Sequence, residues 1–103
     1  MRQQGDVLLK QIDSLPKDIN KKELDKGHII LAYGEVTGHA HRIKDTVNSM
    51  FYEKDGKSYL KVTKPVDLTH EEHHTQTIPI GIYEVGIVKE YDYLKDMERA
   101  VID

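Results

Sequence analysis

The sequence predicts a small, mostly β fold, a β-barrel or β-sandwich with at most one short helix, built as one domain over residues 1–103. Three observations predict it. Short runs rich in Val, Ile, Leu and Tyr recur along the chain, Gly, Pro and Asp punctuate them, and apolar residues at helical spacing are few. A chain of 103 residues fits one core, because single domains commonly run to about 100–150 residues. That core is thin. Apolar residues make up 38% and charged residues 32% of the chain, and burial of roughly 60–65% of the unfolded surface is expected at this size. A homo-oligomer or a bound ligand would add stability by mass action, so self-association is expected.

In chain order, Asp6-Val7-Leu8-Leu9-Lys10-Gln11-Ile12 is short, apolar and partly β-branched, which suits a first strand. Asp13 to Gly27 is polar and lysine-rich around Leu15-Pro16 and reads as a surface loop with at most one helical turn. His28 to Tyr33 gives a buried strand, after which Gly34 and Gly38 permit a sharp bend or bulge. Val47–Glu53 and Ser58–Thr63 flank Lys54-Asp55-Gly56-Lys57, and Asp-Gly between two apolar runs is a strong hairpin signal. Lys64-Pro65 breaks the chain before the strand Val66–His70. Ile78-Pro79-Ile80-Gly81 reads as a turn feeding Ile82–Val88, in which Tyr83, Val85 and Ile87 share one face. In the tail, Leu94, Met97 and Val101 have helical spacing, whereas Ala100-Val101-Ile102 suits a closing strand.

Composition excludes several functions. Without cysteine there is neither a disulfide framework nor a thiolate zinc site, so any metal is held by nitrogen and oxygen. The amino terminus lacks a secretion signal and no apolar run approaches the ~18–20 residues of a membrane span, so a cytoplasmic protein that does not enter membranes is expected. The net charge of −3 is unevenly spread, basic up to Lys64 and acidic beyond it. The lysines stand singly among carboxylates and form no stripe, which argues against general nucleic-acid binding.

The concentrated chemistry is imidazole. Of six histidines, five fall into Gly38-His39-Ala40-His41-Arg42-Ile43 and Thr69-His70-Glu71-Glu72-His73-His74. In an extended strand His39, His41 and Ile43 project from one face, and independently so do Val66, Leu68 and His70. Packing of the two apolar faces would bring these imidazoles together. A turn can fold His73 back onto the same centre, with His74 the competing candidate. Imidazole suits a divalent transition metal, zinc or iron above all, and Glu71 and Glu72 supply carboxylates as ligand, orienter or general base. The bland alternative is a set of solvated or core histidines, the reading adopted for His28. Arg42 points away from the histidine pair in a flat strand and reads as a surface charge, one that would hold an anion if the strand bulged. Tyr91-Asp92-Tyr93 reads as the cover of a core edge.

Two resemblances bear on these residues. His39-Ala40-His41 followed by Asp45, with Pro79-Ile80-Gly81 later, resembles the cupin pattern, which implies a barrel and a metal held by His-x-His and a carboxylate. Asp45 stands where a glutamate is usual, and Glu84 stands where the second cupin motif has its histidine. More closely, Gly34-Glu35-Val36-Thr37-Gly38-His39-Ala40-His41, with His70-Glu71-Glu72-His73 and Gly81-Ile82-Tyr83-Glu84-Val85, resembles a group of short uncharacterised proteins from bacteria and their phages. That resemblance implies no activity. It does imply that His39, His41, His70 and His73 form one site, with His74 outside it.

The function expected is therefore a metal site formed by His39, His41, His70 and His73, serving a metal-dependent hydrolase or other metalloenzyme with Glu71 or Glu72 as base. A module that sequesters a small anionic ligand such as a nucleotide is the alternative, and a purely structural interaction domain is the third.

Overall fold

The computed structural model describes residues 2–34 and 38–87. Ten strands lie within them: β1 (Arg2–Gln4), β2 (Val7–Ile12), β3 (Asn20–Lys21), β4 (Ile29–Tyr33), β5 (Ala40–Ile43), β6 (Ser49–Lys54), β7 (Lys57–Val62), β8 (Val66–Thr69), β9 (Gln76–Ile78) and β10 (Gly81–Ile87). They form two antiparallel sheets, one ordered β1-β2-β10-β7-β6-β3 and the other β4-β5-β8-β9. The fold is mostly β, and among the described residues it has the layers of a sandwich and does not close into the barrel that a cupin requires. No helix occurs there either; the surface loop expected from Asp13 to Gly27, with at most one helical turn, instead carries the short β3 and a tight Asp25–His28 turn. None is therefore long and apolar enough to cross a membrane. The alternative readings of the tail, Tyr91-Asp92-Tyr93, and Val88 at the end of the last expected strand lie outside the described residues.

Local chemistry explains the turns. Lys54 pairs with Lys57, leaving Asp55 and Gly56 at φ of 52° and 79°. Positive φ at both central residues is what a two-residue hairpin needs to match the right-handed strand twist. Lys26 and Gly27 repeat that geometry at 53° and 80° between Asp25 and His28. The β1–β2 hairpin, absent from the expectations, turns at Gly5-Asp6 with Gly5 at φ 54°.

Twelve buried apolar side chains fill the space between the sheets. Val7, Leu9, Phe51, Leu60, Val62 and Tyr83 come from the first sheet, and Ile29, Leu31, Ile43, Val66, Leu68 and Ile78 from the second. Strand alternation puts each set on one face. Tyr83 is buried because its hydroxyl finds a partner, donating to the Pro79 carbonyl at 2.8 Å. Burying a Val, Leu, Ile or Phe side chain contributes about 1.5–3 kcal/mol each, so these few residues decide whether the sheets stay together. One irregularity matters for the site. The β4–β5 register shifts between Ile30 and Ala32, so that Ile30 faces Arg42 while Ala32 faces His41. The bulge keeps Ile29 and Leu31 in the core and still presents a small residue opposite the buried imidazole.

Two substitutions separate the core from the turn. Leu60→Ala, at a fully buried position, should lower the unfolding free energy by about 2–5 kcal/mol. Gly56→Ala, where an added methyl meets nothing within 4 Å, should lower it by only about 1 kcal/mol through backbone strain. Urea denaturation of the two variants reads the difference.

Candidate metal centre

Four histidines meet where the β1–β2 turn of one sheet approaches the end of β8 in the other. His41 lies on the core side of β5 and is 4% exposed. His70 follows β8 directly, and His73 lies in the segment from β8 to β9. One ligand nitrogen from each of His41, His70 and His73 falls within 4.8 Å of the others. Ring centroids are 4.3 Å apart for His41 and His70, and 4.6 Å for His70 and His73. Tetrahedral zinc with bonds of about 2.0–2.1 Å needs ligand nitrogens about 3.3 Å apart, so a contraction of about 1.5 Å at most would complete a coordination sphere.

Two glycines make this crowding feasible. A Cβ on Gly5 would lie 2.6 Å from His73 Nε2 and 3.1 Å from His41 Cε1. A Cβ on Gly34 would lie 2.9 Å from His39 Cβ and 3.2 Å from His70 Nε2.

Gln4 sets the proton on His41. Its amide nitrogen donates to the Leu68 carbonyl at 2.8 Å and the His74 carbonyl at 2.9 Å, which fixes its oxygen as the atom 2.8 Å from His41 Nδ1. That oxygen can only accept, so Nδ1 carries the hydrogen and Nε2 is left with a bare lone pair. A buried imidazole thus presents one nitrogen in the state that binds metal. His70 differs, because its Nδ1 accepts the Glu72 backbone N–H at 3.0 Å. Neutral His70 then carries its proton on Nε2. An ion taken at Nε2 would drive that proton to Nδ1, and an ion taken at Nδ1 would use its lone pair. Either way the Glu72 contact must break on binding.

The remaining candidates have distinct places. His39 precedes β5 and falls outside the three-histidine group; it forms a second group with His70 and Glu71, again with ligand atoms within 4.8 Å of one another. Two imidazoles and one carboxylate are a set that iron uses. Glu71, however, already accepts the Ala40 N–H at 3.0 Å and an Arg42 Nη2 hydrogen at 3.1 Å. It stands where the next β8 carbonyl would continue the β5–β8 ladder. The Ala40 N–H, aided by Arg42, holds its pKa below the usual glutamate value. Glu71 is thus an ionised brace. Glu72 is exposed, with an oxygen 3.8 Å from His39 Nδ1. The ring of His74 is no part of either group; its backbone carbonyl is what Gln4 holds. Asp45, the carboxylate implied by the cupin resemblance, is occupied elsewhere, accepting the backbone N–H groups of Val47 and Asn48 and the Asn48 side-chain amide.

Gln4 and Gly5 escaped the sequence reading. Their signal was slight: a glycine before Asp6, ahead of an apolar strand, which is a hairpin cue.

Burial lowers the His41 pKa from 6.5 to about 4, with the positive charge that His70 and His73 would carry as the next causes. Burial lowers His70 as well, followed by His73. Between the unfolded value of 6.5 and the folded value of about 4, the unfolded chain binds the proton and the folded one does not. Metal-stripped protein should lose stability as the pH falls through that window, by an amount on the order of 3 kcal/mol for His41. Denaturant midpoints across the window check this, and His41→Leu should flatten the profile. A second expectation concerns Gln4→Leu. It strands the buried Leu68 carbonyl and the part-buried His74 carbonyl and releases the His41 tautomer, so stability should fall by about 1–3 kcal/mol and zinc affinity by about 10–100-fold in a chelator competition.

A family model described as a domain of unknown function (DUF8820) matches residues 3–87, and the chain belongs to that family. Comparison with curated proteins and with solved structures finds no match.

Proposed function

We propose that this member of the DUF8820 family is a metalloprotein whose His41, His70 and His73 hold one divalent transition metal ion, zinc by preference, in a centre built for hydrolysis. The observation that carries the reading is the Gln4-oriented His41 lying within 4.8 Å, nitrogen to nitrogen, of His70 and His73. Zinc fits better than iron because the three-imidazole group needs no carboxylate, whereas the carboxylate of the other group, Glu71, is already held by Ala40 and Arg42. Three neutral imidazoles would leave a position for water or substrate on the ion they hold, and His73 among them is exposed. A metal so held lowers the pKa of bound water to about 7 and polarises a carbonyl or phosphoryl oxygen.

The chain's own residues then divide the labour. Gln4 orients His41, Glu71 ties the segment after β8 to Ala40 and Arg42 of β5, and His39 lies beside the centre with its ring 5.8 Å from that of His70. Glu72 is the carboxylate free to take a proton, and it is freed further when the His70 contact to its backbone breaks. The alternative, a module that sequesters a small anionic ligand without catalysis, has no role for Glu72 as a base.

Elemental analysis of protein reconstituted with zinc should find about one equivalent, retained in His74→Ala and largely lost in His41→Ala and His70→Ala. Less than roughly a tenth of an equivalent in the parent contradicts the metal centre. For the hydrolytic role, Glu72→Gln should keep its zinc and lose about 10²–10⁴-fold in the cleavage of activated aryl esters or phosphate esters. Full activity in Glu72→Gln assigns the base elsewhere.

A further inference from the structure

Beside the histidine centre lies a cavity of about 540 Å³ on the solvent side of β4 and β5, within the roughly 300–1,000 Å³ that small-ligand pockets occupy. Its wall includes Lys26 and His28 from the tight turn before β4, Ile30 and Tyr33 from β4, and Arg42 from β5. His39 and Gly34 close the end nearest the histidines. Since a Cβ on Gly34 would stand 3.2 Å from His70 Nε2, the cavity ends about one methyl group from a nitrogen of the metal centre.

The electrostatics of this wall are unbalanced at Arg42. Its Nη2 donates to Glu71 Oε1 at 3.1 Å and to the Gly38 carbonyl at 3.2 Å. Its Nε is shielded from solvent and finds no acceptor among the described residues. A guanidinium has five N–H donors, and the Glu71 carboxylate beside it is shared with the Ala40 N–H. Donors therefore outnumber acceptors at a half-buried cation. Lys26 adds an ammonium from an exposed turn position, while Asp25, the one carboxylate among the described lining residues, is engaged by the Tyr33 hydroxyl. Ile30 is half-buried and Tyr33 is 68% exposed, so an apolar surface and an aromatic ring stand beside these cations.

We infer that this cavity binds a small organic oxyanion, a carboxylate or a phosphate ester with an apolar body, its charge held by Arg42 and Lys26 and its body lying against Ile30 and Tyr33. As the substrate class of the centre the anion depends on the metal reading; its binding does not. Arg42 suits the task because a charge-assisted bond to an oxyanion is about twice as strong as a neutral one, and a planar fork grips two oxygens. Ile30, directly opposite Arg42, faces the cavity, while Ala32 turns toward His41.

The test is a titration of phenyl phosphate and of benzoate into zinc-loaded and metal-stripped protein, followed by backbone amide shifts at about 0.15 M salt, where surface attraction is largely screened. Saturable binding is expected in both forms, with the largest shifts at Gly38, Ala40 and Ile30. Arg42→Lys should weaken it about ten-fold or more, because the fork is lost though the charge remains. Lys26→Gln, an exposed change that leaves the fold intact, should weaken it several-fold with zinc content unchanged. Saturation by phenyl phosphate alone, or by benzoate alone, supports the site and identifies the head group. Failure of both compounds to saturate by about 10 mM in either form overturns it, as does parental affinity in both variants. Saturable anion binding by protein that takes up no zinc contradicts the metal centre and leaves the oxyanion site standing.

Discussion

The carboxamide of Gln4 ties the two sheets together at the point where the histidines gather. It sits on β1, an edge strand of the first sheet, and is 2% exposed. Both its hydrogens go to carbonyls of the second sheet and its continuation, Leu68 and His74. Its oxygen goes to His41. A buried amide left unmatched is costly, so the three bonds form together or the edge opens. When they form, the 70–75 segment is anchored at both ends, at Leu68 and at His74. His70 and His73 are thereby carried to His41, with a ligand nitrogen of each within 4.8 Å of the others.

The thin core gives this polar corner its importance. Twelve apolar side chains hold the sandwich, and around the histidines they are replaced by imidazoles, a glutamine and two glycines. Packing imidazole rings 4.3–4.6 Å apart is tolerable only while they are neutral, since desolvation and mutual repulsion both disfavour protonation. A cation placed among them converts that repulsion into coordination. The site is therefore a place where the fold crowds neutral imidazoles together and leaves a lone pair on the buried His41 without a proton, which is a common physical preparation for binding a metal.

How much of this was legible in the sequence depends on the range of the interaction. Local signals read well. Asp55-Gly56 specified its hairpin, and the apolar alternation of Val7–Leu9 and Val66–Leu68 specified buried faces. His41 and His70 could be placed beside the core because Ile43 and Leu68, two residues away on each strand, belong to it. His39 stands just before β5 and groups with His70 and Glu71. Long-range pairing was illegible. Two-residue β3 and three-residue β1 and β9 are strands by virtue of the partners they meet, and they carry little propensity of their own. The role of Gln4 depends on residues 37 to 70 positions away, and a polar residue near a terminus gives no hint of burial. Glu71 and Glu72 look equivalent in sequence. The end of the β5–β8 ladder separates them, since the backbone N–H it leaves at Ala40 takes one carboxylate and leaves the other free.

The most direct test of the account is the nitrogen spectrum of the imidazoles, recorded with and without zinc near neutral pH. The account predicts that His41 is protonated at Nδ1 in both states, that its Nε2 resonance moves to the metal-bound range on loading, and that His70 changes its hydrogen bond to the Glu72 amide in the same step. A metal-free His41 protonated at Nε2, or imidazole resonances indifferent to zinc, would contradict it.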